Sequence, residues 1–283
     1  MHGKIKIMKK NVFKYYNDQG WKSGSNSNVT LDEEINVNNN KSCKSYNSKT
    51  RNRVLNQLDK LKGKKKKILD VASGPLHIPE YLEYSKNFDE RHCVDFSKIA
   101  LEKAKLNLAN SEQKNSFLFN VDFFESDFKN NSFDAAISLH TLYHVDKAKQ
   151  KDFVKKLIKY VRPSGLIIVV YSNPFSLQSI ITFPVLLWRN IKLLVKYTLV
   201  KLSLYQDKRE FYFKRKNIFW WNTFKTLGEV KIIPERTFSA SFEKKVIPDN
   251  DFGKKIYDFL FFLESKQFWK FFSTYYIVII KKI

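Results

Sequence analysis

Short apolar runs alternate with helix-like patterns along most of the chain. The runs that predict buried strands cover residues 68–71, 91–95, 116–122, 133–139, 166–170, 229–233 and 275–280. Apolar residues at helical spacing predict helices over 51–61, 98–108 (with Ser97 as the cap) and 146–160. Because strands alternate with helices, we predict an α/β fold: a doubly wound, mostly parallel, seven-stranded Rossmann-like sheet with helices on both faces.

Two stretches depart from this alternation. Residues 1–60 are polar and rich in Asn and Ser, with aromatic residues among them, and we predict a partly flexible N-terminal cap. Residues 61–283 are predicted to form one domain with a helical insertion, rich in aromatic and basic residues, at about 174–227. We expect this insertion to act as a lid and Gly228 to end its last helix.

The net charge of +23 bears on the partners of the protein. Of the 51 basic residues only 8 are Arg, whereas nucleic-acid surfaces rely on the forked guanidinium group to hold phosphates. The lysines therefore fit solvated surface positions as well as an anionic partner such as nucleic acid, a phosphorylated substrate or acidic lipid. The apolar content of 43% excludes a wholly disordered or fibrous chain.

Cysteine usage and hydropathy indicate a compartment. Cys43 and Cys93 are too few and too far apart for a disulfide framework or a zinc site. We see no secretory signal, and the longest charge-free apolar run, about 180–188, is half of what a bilayer span requires. We therefore expect a cytoplasmic protein, with peripheral contact to an anionic membrane as an alternative.

The residues that indicate chemistry follow the first two predicted strands. In ILDVASGP (68–75) and VDFS (94–97), Asp70 and Asp95 each end a strand. The small residues Ala72, Ser73 and Gly74 let a ligand approach the backbone, and an acid about 20 residues later can hold a ribose diol. A dinucleotide site needs G-x-G-x-x-G, which this turn lacks. S-adenosylmethionine fits better, because Asp70 can face its charged amino acid tail.

Five segments in order resemble the core of class I S-adenosylmethionine-dependent methyltransferases of the small-molecule, type-11-like kind. They are ILDVASG, CVDFS, NVDFF, NNSFDAAISLHTLYHV and VRPSGLIIVVY, between Ile68 and about Tyr171. The resemblance implies S-adenosylmethionine as the cofactor. It also implies a set of cofactor-binding positions: Asp70 in the first motif, Asp95 at the ribose, Asp122 beside the adenine, Phe96 and Phe123 flanking the adenine, and Leu139 near the sulfonium.

The first loop departs from the pattern of this family, which usually has D-x-G-x-G-x-G. Only Gly74 is present, with Ala72 and Leu76 at the outer positions. Alanine is tolerated at position 72 if its φ is negative, and we expect Gly74 to be the one place where a ligand approaches closely.

Two histidines follow the fourth strand, where an acceptor would lie. A sulfonium methyl is already activated, so the protein mainly aligns the nucleophile and excludes water. A hydroxyl acceptor must also lose a proton, and His140 or His144 suits that task near neutral pH. The two would share a face if the segment is helical; alternatively, His144 packs or caps the helix near Asp146. Apart from Asp146 no third ligand is evident nearby, so we predict no metal site.

The acceptor is predicted from what the fourth strand lacks. It is followed by SLHT (138–141) rather than the Asn/Asp-Pro-Pro-aromatic turn of enzymes that methylate exocyclic amines of nucleobases. We predict O-methylation of a small hydroxylated acceptor, with nitrogen as the alternative atom; a saccharide, a phosphorylated molecule or a glycolipid intermediate fits by analogy. Two other functions stay open: an RNA methyltransferase that uses the basic surface, and a non-enzymatic membrane-surface scaffold bound through residues 180–201.

Overall fold

A seven-stranded sheet forms the centre of the protein. The computed structural model describes residues 15–16, 20–22, 39–111, 113, 115–183 and 213–283. The strand order is β3-β2-β1-β4-β5-β7-β6. The strands are β1 (Lys67–Val71), β2 (Glu90–Asp95), β3 (Asn115–Asn120), β4 (Phe133–Leu139), β5 (Val161–Ser172), β6 (Gly228–Arg236) and β7 (Tyr275–Lys282).

The strand directions bring several carboxyl ends to one edge. β1 to β5 pair in parallel, and β7 lies antiparallel between β5 and β6, so β6 runs in the direction of β5. From β1 the chain adds β2 and β3 on one side, and it then crosses to β4 on the other side. Ligand crevices of α/β sheets form at such a switch point. The predicted fold class is confirmed.

Helices cover both faces of the sheet. They are α1 (Lys44–Leu58), α2 (Pro79–Glu83), α3 (Lys98–Ala109), α4 (Gln150–Tyr160), α5 (Ala240–Val246) and α6 (Asp251–Glu264), with 3-10 helices at Lys41–Cys43, Leu142–His144, Ile218–Phe224 and Gln267–Phe271. Alternate residues of the strands face opposite sides. On one face Leu69 packs in a cluster with Leu157 of α4, and on the other Ile68 packs with Leu58 of α1. The division of the chain at residue 60 stays a prediction, and the helix before it shares the core of the sheet.

Some predicted boundaries are wrong for local reasons. α4 begins at Gln150 rather than residue 146, because the Asp146 carboxylate accepts from the Ala148 N–H at 2.8 Å and stabilises a turn instead. Gly228 begins β6 instead of ending a helix. A Cβ at Gly228 would lie 2.5 Å from the carbonyl oxygen of Lys281, so glycine permits the close approach of β7.

The two segments outside the main alternation are described only in part. Residues 177–183 are helical, while residues 184–212, at the centre of the predicted lid, lie outside the described residues. Most of the predicted N-terminal cap, residues 1–14, 17–19 and 23–38, also lies outside them. None of the helices in the described ranges combines the length and the hydropathy of a membrane-spanning segment.

Candidate functional site

A cleft of about 630 Å³ opens at the carboxyl ends of β1, β2 and β4. It is the place that the topological switch between β1 and β4 indicates. All but two of the residues predicted for the site line it: Asp70, Ala72, Ser73, Gly74, Asp95, Phe96, Leu139, His140 and His144. The structure thus brings together residues that are up to 74 positions apart in the chain.

Asp95 connects the first loop to the start of α3. Its Oδ2 accepts from the Gly74 N–H at 3.0 Å, and its Oδ1 accepts from the Ser97 N–H at 2.8 Å. Burial raises the pKa of Asp95 to about 6, although these two N–H donors favour the ionised form. A carboxylate oxygen has more than one lone pair, so both oxygens keep acceptor capacity for a ligand hydroxyl.

Asp70 lies on the neighbouring strand and forms a buried ion pair that the sequence did not predict. Its carboxylate accepts from the Arg91 guanidinium, which also donates to the Tyr81 carbonyl at 2.7 Å. Burial raises the pKa of Asp70, although Arg91 favours its ionised form. Arg91 thus compensates the charge of Asp70 beneath the first loop.

The first loop keeps the backbone shape of a glycine-rich turn with few glycines. Ala72 has φ +55°, Gly74 +62° and Leu76 +52°. The negative φ that would make alanine tolerable at position 72 is therefore not observed. The Ala72 N–H donates to the Val94 carbonyl at 2.7 Å, which holds the residue in the left-handed region.

Aromatic residues near the N-terminus form a wall of the cleft. Tyr16 and Trp21 line it and stack on each other, with ring centroids 5.1 Å apart. A Cβ at Gly74 would lie 3.5 Å from the Trp21 ring, so the indole covers the first loop. The ammonium of Lys103 on α3 donates to the Trp21 carbonyl. The aromatic residues of the predicted N-terminal cap were the only signal in the sequence for this wall.

Asp122 and Phe123 are the two predicted residues that do not line the cleft. β3 ends at Asn120, so both residues lie in the following turn, where Asp122 Oδ1 accepts from the Phe124 N–H at 3.0 Å. Phe123 is buried in the core, with its ring centroid 4.8 Å from that of Phe153. The placement of Phe123 beside the adenine is corrected accordingly, because the sheet core takes up its ring.

The acceptor side of the cleft holds a histidine–glutamate pair. His140 Nε2 lies 3.4 Å from Oε1 of Glu235, at the end of β6. Burial would raise the pKa of Glu235, but the neighbouring His140, Arg236 and Arg53 outweigh it and lower the pKa. His140 itself has φ +55°. Glu235 was not predicted, although β6 ends at the same sheet edge as the other site strands.

His144 lines the cleft in a different setting. Residues 142–144 form a 3-10 helix, so the α-helical face that His140 and His144 would share does not form. The His144 ring packs 4.6 Å from Tyr143 and 5.4 Å from Phe213, centroid to centroid. These two contacts give His144 an aromatic setting.

Within the part of the chain that the structure describes, no group of three or more His, Cys, Asp or Glu side chains could hold a metal ion.

Comparisons with known proteins agree with this geometry. Residues 69–169 match the family described as "Methyltransferase domain". No curated protein matches the chain. The structure is similar to N-methyltransferase NodS from Bradyrhizobium japonicum WM9 in complex with S-adenosyl-L-homocysteine, at 8% identity over 97% of this chain and 98% of that one, with a TM-score of 0.54.

Two further structures are similar. The S-adenosylmethionine-dependent methyltransferase from Archaeoglobus fulgidus has 17% identity over 82% of this chain and 92% of that one, with a TM-score of 0.51. Phosphoethanolamine N-methyltransferase 1 from Haemonchus contortus has 15% identity over 61% of this chain and 34% of that one, with a TM-score of 0.45. At these identities the likeness shows the fold.

Proposed function

We propose that the protein, a class I S-adenosylmethionine-dependent methyltransferase with its domain at residues 69–169, methylates a hydroxyl group of a small acceptor. In this proposal His140 is the general base. The observation that carries this proposal is the His140–Glu235 pair, 3.4 Å apart, in the cleft that also contains Asp95. Because the protein is an enzyme, the alternative of a non-enzymatic scaffold is excluded.

The residues of the first loop and β2 fit the cofactor. Asp95 would hold the ribose hydroxyls, and the backbone of 72–74 would lie against the ligand under Trp21. Asp70, compensated by Arg91, would face the amino acid tail. When bound, S-adenosylmethionine supplies an activated methyl group, so the protein needs no residue that activates it.

The task left to the protein is to take a proton from the acceptor. If His140 Nε2–H donates to Glu235, the lone pair is on Nδ1, which then acts as the base. Glu235 is buried and stabilises the imidazolium that forms. A separation of 3.4 Å is long for a hydrogen bond, and such contacts shorten when a substrate binds. The left-handed backbone at His140 fixes where the imidazole leaves β4.

The lining of the acceptor side suits a saccharide. Tyr81, Phe213 and Tyr275 contribute aromatic side chains to the lining, and Ser239 and Ser241 contribute hydroxyl side chains. Aromatic faces stack on sugar rings while hydroxyls bond to their oxygens. We therefore propose a sugar, free or in a glycolipid intermediate, as the acceptor.

The proposal is tested by transfer of labelled methyl groups from S-adenosylmethionine to sugars, sugar phosphates, small amines and RNA. We expect the product to be a sugar methyl ether. With that acceptor, His140→Gln should lower kcat about a hundredfold, and Glu235→Gln should lower it less and shift the pH profile. Methylation of amines or RNA alone would contradict the proposal, as would an unchanged kcat in His140→Gln.

The chain contains a matched control pair. His92 Nε2 lies 2.9 Å from Glu90 Oε2, and neither residue lines the cleft. His92→Gln and Glu90→Gln remove the same chemistry elsewhere on the sheet. We expect both variants to keep the kcat of the unchanged protein, which separates an effect on catalysis from the loss of any histidine–glutamate pair.

A further inference from the structure

Exposed apolar side chains gather beside the acceptor side of the cleft. We call this surface the aromatic patch; it comprises Phe175, Ile180, Phe219, Phe268 and Phe271. Phe175 is 73%, Phe219 65% and Phe268 55% exposed. Apolar side chains scattered singly on a surface are ordinary, whereas a contiguous group marks a contact site.

Backbone hydrogen bonds join the segments that carry the patch. The Leu177 N–H donates to the Phe272 carbonyl at 2.8 Å, which ties helix 177–183 to the end of the 3-10 helix Gln267–Phe271. The Phe219 and Phe271 rings lie 6.1 Å apart, centroid to centroid. Trp269 Nε1 donates to Thr237 Oγ1 at 2.9 Å and fixes this 3-10 helix to the sheet. The patch is therefore one surface on a fixed support.

The charge on these segments has one sign. Residues 175–183, 213–227 and 265–272 contain no Asp or Glu, although the whole chain has 28. Lys266 and Lys270 belong to the last of these segments, and Lys270 Nζ lies 5.5 Å from the centroid of the Phe271 ring. Exposed aromatic rings are thus interleaved with cations, and no acid in these segments opposes them.

The patch lies next to the cleft. Ser172, at the end of β5, pairs with Tyr275 of β7, which lines the acceptor side. The Asn173 side chain donates to the Phe271 carbonyl at 2.9 Å and connects the end of β5 to the patch. A partner that binds the aromatic patch therefore lies next to the acceptor side of the cleft.

We propose that the aromatic patch docks the enzyme on an anionic lipid bilayer. Interfacial binding needs apolar side chains that enter the boundary of the acyl chains and cations that contact acidic headgroups, and the patch presents both. The absence of acids from its segments matches a surface of negative charge. This inference does not depend on the identity of the acceptor or on the base.

The test is co-sedimentation of the full-length chain with vesicles of phosphatidylcholine alone and of phosphatidylcholine with about one third phosphatidylglycerol. We expect binding to the anionic vesicles that weakens as salt rises, and little binding to the neutral ones. Lys266→Glu with Lys270→Glu, and separately Phe175→Ser with Phe268→Ser, should each lower the partition coefficient about tenfold or more.

A matched control changes an apolar residue and a lysine on α3, beyond the other end of the sheet. Leu106 is 67% exposed and Lys105 beside it is also exposed. Leu106→Ser with Lys105→Glu should keep at least half of the binding. Circular dichroism melting of every variant checks that it folds.

Three results would overturn the proposal. They are no sedimentation with anionic vesicles at low ionic strength, full binding by both patch variants, and an equal loss in the α3 control. A single-stranded RNA that binds the patch while vesicles do not would assign this face to nucleic acid instead. Loss of vesicle binding with methyl transfer to a soluble acceptor intact would separate this proposal from the proposed function.

Discussion

Replacement of Ala72 by glycine tests the conformation of the first loop. Ala72 has φ +55° and is held there by the hydrogen bond from its N–H to the Val94 carbonyl. The left-handed region costs a non-glycine residue about 1–2 kcal/mol. Glycine removes that strain, but it adds about 0.4–1 kcal/mol of unfolded-state entropy. The net expectation is that Ala72→Gly raises the free energy of unfolding by about 0.5–1 kcal/mol.

The control is Ala148→Gly, at an exposed turn residue that is absent from the positive-φ positions. There only the entropy of the unfolded chain changes, so the free energy of unfolding should fall by about 0.4–1 kcal/mol. Urea unfolding followed by circular dichroism measures both variants, with the slope m checked for constancy. If Ala72→Gly loses as much stability as Ala148→Gly, the strain assigned to the first loop is absent.

Three further predictions concern the cofactor side of the cleft. Arg91→Met should destabilise the fold by about 3–5 kcal/mol, because it leaves the charge of the buried Asp70 uncompensated. The double variant Arg91→Met with Asp70→Asn should recover part of this loss, as measured by urea unfolding. The pKa of Asp95 is raised from 3.8 to about 6, so its contribution to stability is fully present below about pH 4 and is lost as the pH rises through 6. Between these limits the protein should lose about 3 kcal/mol relative to Asp95→Asn; equal pH profiles would contradict the raised pKa. Trp21→Ala should raise the Kd for S-adenosylhomocysteine about fivefold in calorimetry, and an unchanged Kd would show that the N-terminal wall does not contact the ligand.

The strands could be predicted because their signals are local. The run 133–139 coincides with β4, because five of its seven residues are apolar, as expected of a strand that is buried on both faces. Two predicted helix ends were wrong although they also rested on local signals. The Asp146 carboxylate stabilises a turn before α4 instead of capping the helix. Gly228 permits the close approach of β7 instead of ending a helix. A capping residue or a glycine shows that the backbone has a special conformation or hydrogen bond at that position, but it does not identify the secondary structure in which this occurs.

The site could be predicted only where adjacent strands bring it together. Asp70 and Asp95 lie at the carboxyl ends of consecutive parallel strands, so their proximity follows from the alternation of strands and helices. The position of Glu235 in the site could be predicted only with the strand order known. β6 runs in the direction of β5 because the antiparallel β7 lies between them. Trp21 reaches Gly74 across 53 residues of chain, and no local pattern encodes such a contact. The ion pair of Arg91 could not be predicted, because the sequence does not show that this charged strand residue is buried.

Titration calorimetry with S-adenosylhomocysteine tests most directly whether Asp95 holds the cofactor in the cleft. The measurement compares the unchanged protein, Asp95→Ala, and Asp127→Ala as an exposed acid that does not line the cleft. We predict that Asp95→Ala raises the Kd at least about tenfold, since hydrogen bonds to a charged acceptor contribute about 1.5–3 kcal/mol each. Asp127→Ala should leave the Kd unchanged. Equal affinity in all three proteins would show that the ribose is bound elsewhere.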